Sequence, residues 1–122
     1  MNNHFCQIFF NFTHNNSFEK FLTVLSHQLN YPFDRFLYSE NDLMMVNIRR
    51  NKEYDGNLKS NQWDGFLYYS HFIECDLKQD DKFEDYLNNI TDILIFLQKY
   101  HIPFVSACDF EEQLHKYQYN DQ

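Results

Sequence analysis

Glycine and proline are nearly missing from this chain, two of each in 122 residues. Tight turns and flexible linkers are therefore scarce, and one compact domain over residues 1–122 is the expectation. Apolar runs are all far too short to cross a membrane as a helix. The opening "MNNHFCQIFF" has no basic start and no small-residue cleavage site, and it does not read as a signal peptide. There is no Gly-rich phosphate loop, no Gly-x-Ser-x-Gly and no basic stripe. The three cysteines, Cys6, Cys75 and Cys108, are an odd number without motif spacing. Together these absences predict a reduced, cytoplasmic protein with no cofactor.

What is present is aromatic and acidic. Phe (14), Tyr (9) and Trp63 make up 20% of the chain, enough to build a core. The net charge is −8, and its placement is uneven. Residues 1–63 balance six acids with six bases, whereas residues 64–122 hold twelve acids and four bases. Such a field repels nucleic acid and anionic lipid and attracts a basic partner. The plainer alternative is that it only keeps an aromatic-rich protein soluble.

Hydrophobic periodicity supplies the elements. Cys6, Ile8, Phe10 and Phe12 alternate with Gln7 and Asn11, as on a half-buried strand. Asn16 and Glu19 form a capping-box pattern before Phe18, Phe21, Leu22, Leu25 and Leu29 at helical spacing. A short strand, a turn at Glu40-Asn41-Asp42 and a strand over residues 43–50 follow. Residues 51–63 read as a polar loop carrying Lys52 and Lys59 next to Arg49 and Arg50. "FLYYSHFIECDL", residues 66–77, is the strongest strand and should be central. Asp81 and Glu84 suggest a second capped helix with an apolar stripe through Leu97. "IPFVSACDF" is the last strand, and "EEQLHKY" suggests a short terminal helix. The order β-α-β-β-α-β predicts an α+β, ferredoxin-like fold, an antiparallel sheet with two helices on one face.

Three constellations bear on chemistry. Cys108 is followed by Asp109, Glu111 and Glu112, and nearby negative charge raises a thiol's pKa, so core filler fits better than a nucleophile. The six histidines make no zinc spacing; His71, inside a strand, suggests a structural or titrating role. Asp64 with Asp76 and Lys78 loosely follows the Asp…Asp/Glu-x-Lys pattern of metal-dependent nucleases, with Glu74 pointing the same way as Asp76. The acidic second half opposes DNA approach to such a site. Tyr68 and Phe72 offer stacking surfaces, but the RRM strand motif is missing and the charge is wrong for RNA. No metal site is expected.

The remaining signal is a two-signed surface. Glu74, Asp76, Asp80, Asp81, Glu84 and Asp85 cluster around the end of the third predicted strand and the start of the second helix. Asp109, Glu111 and Glu112 close the fourth strand. Taking those two strands as opposed in direction, the acids form two separate rims. Trp63, Tyr68 and Tyr69, close in sequence to Asp64, are the candidate aromatic anchors.

The Cys-containing first strand, "VNIRRNKEYD", "DGFLYYSHFIECDL" and the closing "ACDFEEQL" together resemble small bacterial immunity proteins of contact-dependent inhibition and related polymorphic toxin systems. The resemblance spans nearly the whole chain. It implies a non-enzymatic protein that binds its cognate toxin domain, often a basic nuclease or tRNase, and masks its cleft. Two other classes are a small metal-dependent hydrolase using Asp64, Asp76 and Lys78, and a regulatory domain holding a small molecule on its open sheet face.

Overall fold

The computed structural model describes residues 4–12, 18–30, 32–52, 69–110, 113–114 and 119–120. Its elements are β1 (Cys6–Phe10), α1 (Phe18–Leu29), β2 (Tyr38–Glu40), β3 (Met44–Arg50), β4 (His71–Leu77), α2 (Phe83–Lys99), β5 (Phe104–Cys108) and β6 (Tyr119–Asn120). All strands pair antiparallel in one sheet of order β2-β3-β4-β1-β5-β6. The fold is α+β, as the order of elements predicts. The additional edge strands β2 and β6 make the strand order not strictly the expected one.

Period-2 alternation sets the faces. Ile8, Phe10, Val46, Ile48, Ile73 and Phe104 lie on one face and are buried in the core beneath both helices. From α1, Phe21 and Leu25 join them; from α2, Tyr86, Ile90, Ile93, Leu94 and Leu97 do so. The α2 stripe recurs every three or four residues, so one side of the helix is dry. Burying each such side chain contributes roughly 1.5–3 kcal/mol. The rings of Phe10, Phe21 and Phe96 run from sheet to α1 to α2 with centroids 5.4 and 5.5 Å apart. β4 is central, between β3 and β1, as its large residues on both faces suggest. Phe9 is also buried (9% exposed) although it lies opposite the helix-covered face, where its ring meets Phe72 at 5.8 Å.

The scarcity of glycine has a backbone consequence. Left-handed φ values fall on Asn30 (61°), Leu37 (60°) and His101 (57°). Asn30 and His101 end α1 and α2, where a left-handed residue lets the chain leave the helix. Leu37 is a costlier choice, and its turn is held by several bonds. Asp34 Oδ1 accepts from Phe36 N and Tyr38 N, and Ile48 N donates to the Leu37 carbonyl at 2.9 Å. The expected turn before β3 is present: Asn41 Oδ1 accepts from the backbone of Leu43 and Met44.

Two local expectations are corrected. Asp81 does not cap α2. It lies in a 3₁₀ turn, Asp80–Lys82, that leads into the helix, and no side chain bonds the N-terminus there. Cys6 and Cys108 are not separate thiols but a disulfide, their Cα atoms 4.5 Å apart on paired positions of β1 and β5. The proposed Asn16–Glu19 capping box and most of the proposed terminal helix lie outside the described residues.

Candidate functional site, an acidic edge of the sheet

β4 and β5 are both antiparallel to β1, so they run in the same direction and their C-terminal ends share one edge of the sheet. This overturns the expectation of two separate acidic rims. Cys75, Cys6 and Cys108 form one row across the three strands. The next positions, Asp76 and Asp109, therefore flank Phe5 at the same end. α2 starts just beyond β4, which brings Asp80, Asp81, Glu84 and Asp85 to that end as well. Asp76, Asp80, Asp81, Glu84, Asp85 and Asp109 are all exposed.

The charges differ in how they are compensated. Glu74, half-buried, receives a hydrogen bond from Arg49 Nε at 2.5 Å and forms an ion pair with it. Lys78 pairs with Glu40, which also accepts from the Tyr38 hydroxyl at 3.1 Å. That lysine lowers the Glu40 pKa. His4 Nε2 lies 3.8 Å from Asp80 and its ring packs on Phe83 at 4.7 Å. Among the described residues no cation pairs with Asp76, Asp81, Glu84, Asp85 or Asp109. Partial burial, then the charge of Glu74, pushes the Asp76 pKa up. Asp76 is thus a carboxylate whose charge the fold leaves uncompensated.

Of the other expected site residues, Trp63, Asp64, Tyr68, Glu111 and Glu112 lie outside the described residues. Tyr69 is 7% exposed and precedes β4, at the far end from the acids, so it is not an anchor on this edge. Its carbonyl accepts from Asn51 Nδ2 at 2.7 Å.

The chemistry expected of thiols and metals can be placed too. Cys75 is free and fully buried; burial first, then Asp76 and Glu74, push its thiol pKa far up. A protonated, enclosed thiol is not a nucleophile. Among the described residues no three His, Cys, Asp or Glu side chains come together as a metal cage. Asp76 and Glu74 do share a face, as the strand alternation requires, but Lys78 is engaged by Glu40.

Two features need the structure. One is the partner of His71: strand position marks the histidine, but not the Ser70 hydroxyl beside it. Ser70 Oγ accepts from Phe12 N at 2.8 Å and lies 2.7 Å from His71 Nδ1. The His71 ring stacks on Phe10 at 5.2 Å and Phe18 at 4.9 Å. Burial, then Arg50, lowers its pKa to about 4. The other is Phe36, 71% exposed beside the bases of β3. Its only sequence signal is an aromatic within a turn, which hydrophobic patterning does not score.

No helix among the described residues is long and apolar enough to cross a membrane. Comparison of the chain with family models, with curated proteins and with solved structures finds no match.

Proposed function

We propose that this protein is a non-enzymatic binding module that neutralises a basic protein partner, in the manner of the bacterial immunity proteins its sequence resembles. In this reading the four strands β3-β4-β1-β5 are a ferredoxin-like core to which β2 and β6 are additions. The carrying observation is the convergence of Asp76, Asp80, Asp81, Glu84, Asp85 and Asp109 on one edge, most of them without a cation partner among the described residues. A concentrated field of one sign accelerates encounter with an oppositely charged surface. The exposed acids of the 3₁₀ turn and α2 serve that steering. Asp76, its charge already disfavoured by burial, is the acid suited to a desolvated contact with a partner's Lys or Arg.

The test begins with the C-terminal domain of a secreted protein encoded beside this chain. Co-expression should rescue cells from that domain, and the two should co-purify in a stoichiometric complex. Reversing Asp80, Asp81, Glu84 and Asp85 to Lys should then slow association about tenfold or more, with the loss shrinking at high salt. Asp76→Lys should instead speed dissociation. Unchanged affinity after reversal of all six acids would reduce the acidic excess to a solubility coat and end the proposal.

A further inference from the structure

The chain's bases are as localised as its acids. Arg35, Arg49, Arg50 and Lys52 are four of its ten lysines and arginines. They gather where the turn before β2 meets the C-terminal end of β3. A groove of about 400 Å³ opens there, lined by Phe36, Asn47, Arg49, Arg50, Lys52 and Phe72 among others. Arg49 pairs with Phe72 in the sheet register, and Met45 with Asp76. Groove and acidic edge are therefore roughly 14 Å apart along β3, at about 3.4 Å per residue. That distance exceeds the roughly 8 Å screening length at physiological salt, so the groove is not cancelled by the acids.

Its chemistry is specific. Arg50 and Lys52 are exposed, and among the described residues no carboxylate pairs with them. Arg49 is shared with Glu74 and contributes less net charge. Phe36 stands outward on a turn whose backbone is pinned by Asp34 and by the Ile48–Leu37 bond. The Arg35 guanidinium lies 4.8 Å over one face of that ring. A large aromatic, 71% exposed, costs free energy in water unless something covers it. The volume lies within the roughly 300–1,000 Å³ of small-molecule sites.

We propose that this groove binds a mononucleotide, an aromatic base carried on a phosphate dianion. The base stacks on the Phe36 ring, within reach of the Asn47 amide, and the phosphate sits between Arg50 and Lys52. Two flat rings beside a cationic cluster match a base and phosphate better than an acidic peptide, whose side chains have no planar face to stack. A long nucleic acid would meet the −8 net charge of the whole chain, whereas a small dianion meets only the local field. The site does not depend on the acidic edge or on the partner proposed for it.

The experiment is a titration of the full chain with adenosine 5′-monophosphate, followed by backbone amide shifts and by calorimetry. Saturable, submillimolar binding is expected, with shifts at residues 36, 47–52 and 72. Adenosine, lacking charge, and inorganic phosphate, lacking the base, should each bind at least fivefold more weakly. Phe36→Ala and the double variant Arg50→Gln/Lys52→Gln should each weaken the nucleotide at least fivefold without changing the melting temperature by more than a few degrees. Reversal of Asp81 and Glu84 should leave nucleotide affinity within twofold. No saturation by about 10 mM nucleotide, affinity unchanged in both groove variants, or tighter binding of an oligoglutamate peptide than of the nucleotide would each overturn the proposal.

Discussion

Acid should destabilise this protein through His71. The imidazole is 8% exposed, sandwiched between Phe10 and Phe18, and its Nδ1 is occupied by the Ser70 hydroxyl. The charged group nearest in the sheet register is Arg50, which repels a proton on the ring. Both effects favour the neutral form, and the pKa falls from 6.5 to about 4. The unfolded chain has no such restraint. Above pH 6.5 both states leave the ring neutral and its contribution is constant. Between pH 6.5 and 4 the unfolded state takes up a proton that the folded state refuses, so stability falls as pH falls. Below about pH 4 the folded state protonates too and the loss levels off. One group gives at most about 1.4 kcal/mol per pH unit, and the whole shift corresponds to no more than about 3 kcal/mol.

The assay is urea unfolding of the wild type and of His71→Phe at intervals from pH 7.5 to 3.5. Phe keeps a ring between Phe10 and Phe18, while Ser70 still reaches the Phe12 carbonyl at 3.1 Å. The wild type should lose stability relative to the variant across this window, by up to about 3 kcal/mol. Other groups share both proteins and cancel in the difference. Asp76 works in the opposite sense, because a raised carboxyl pKa makes the folded state the better proton binder. Parallel pH profiles would refute the reasoning and return His71 to an ordinary accessible histidine.

Two further outcomes concern the core. The Cys6–Cys108 bond closes a loop of sequence separation 102, and chain-entropy arguments give such a crosslink roughly 3–5 kcal/mol. Reduction, or Cys6→Ser with Cys108→Ser, should lower the urea midpoint accordingly; an unchanged midpoint would mean the bond adds no stability. Tyr86 is fully buried and its hydroxyl donates toward the carbonyls of His4 and Cys75, the latter at 2.9 Å. Tyr86→Phe leaves both acceptors behind and should cost about 1–3 kcal/mol at constant far-UV circular dichroism; no loss would show that water replaces the hydroxyl.

The helices were legible because their apolar stripes are regular: Phe21 and Leu25, then Ile90, Ile93, Leu94 and Leu97, are the residues that enter the core. The central place of β4 followed from bulky residues on both faces. Edge features were not legible. β6 is two residues long, too short for alternation to register. The disulfide joins positions whose only relation is cross-strand pairing, which spacing cannot reveal. The acids Asp76, Asp80, Asp81, Glu84, Asp85 and Asp109 are plain in the sequence, but their grouping depends on strand direction. Two strands that both flank β1 antiparallel must run together, and that step, not any residue, separates two rims from one edge. Asp81 has the residue type of a cap, but the helix starts at Phe83 and Lys82 takes the N-cap position, so Asp81 falls one residue too early to bond the helix.

Whether the acidic edge is for the helix or for a partner can be decided by count and sign. The N-terminus of α2 gains about 0.3–1 kcal/mol from a nearby carboxylate, an effect confined to the first turn. Glu84 and Asp85 occupy that turn and suffice for it. Asp80 and Asp81 precede it, while Asp76 and Asp109 lie on or beside strands, where the helix gains nothing from them. For Asp76 the fold works against the charge: its pKa is raised, so ionisation at neutral pH is harder folded than unfolded. Neutralising Glu84 should therefore destabilise the protein, whereas Asp76→Asn should stabilise it at pH 7, with the gain vanishing below the carboxyl's titration. If the edge is a docking surface, the same Asp76→Asn change weakens the complex while strengthening the free protein. Opposite signs of that kind arise when a residue is kept for something outside the fold. Should Asp76→Asn instead lower stability as Glu84→Gln does, the carboxylate is a structural member of the sheet end, and the case for a basic partner loses its best-placed residue.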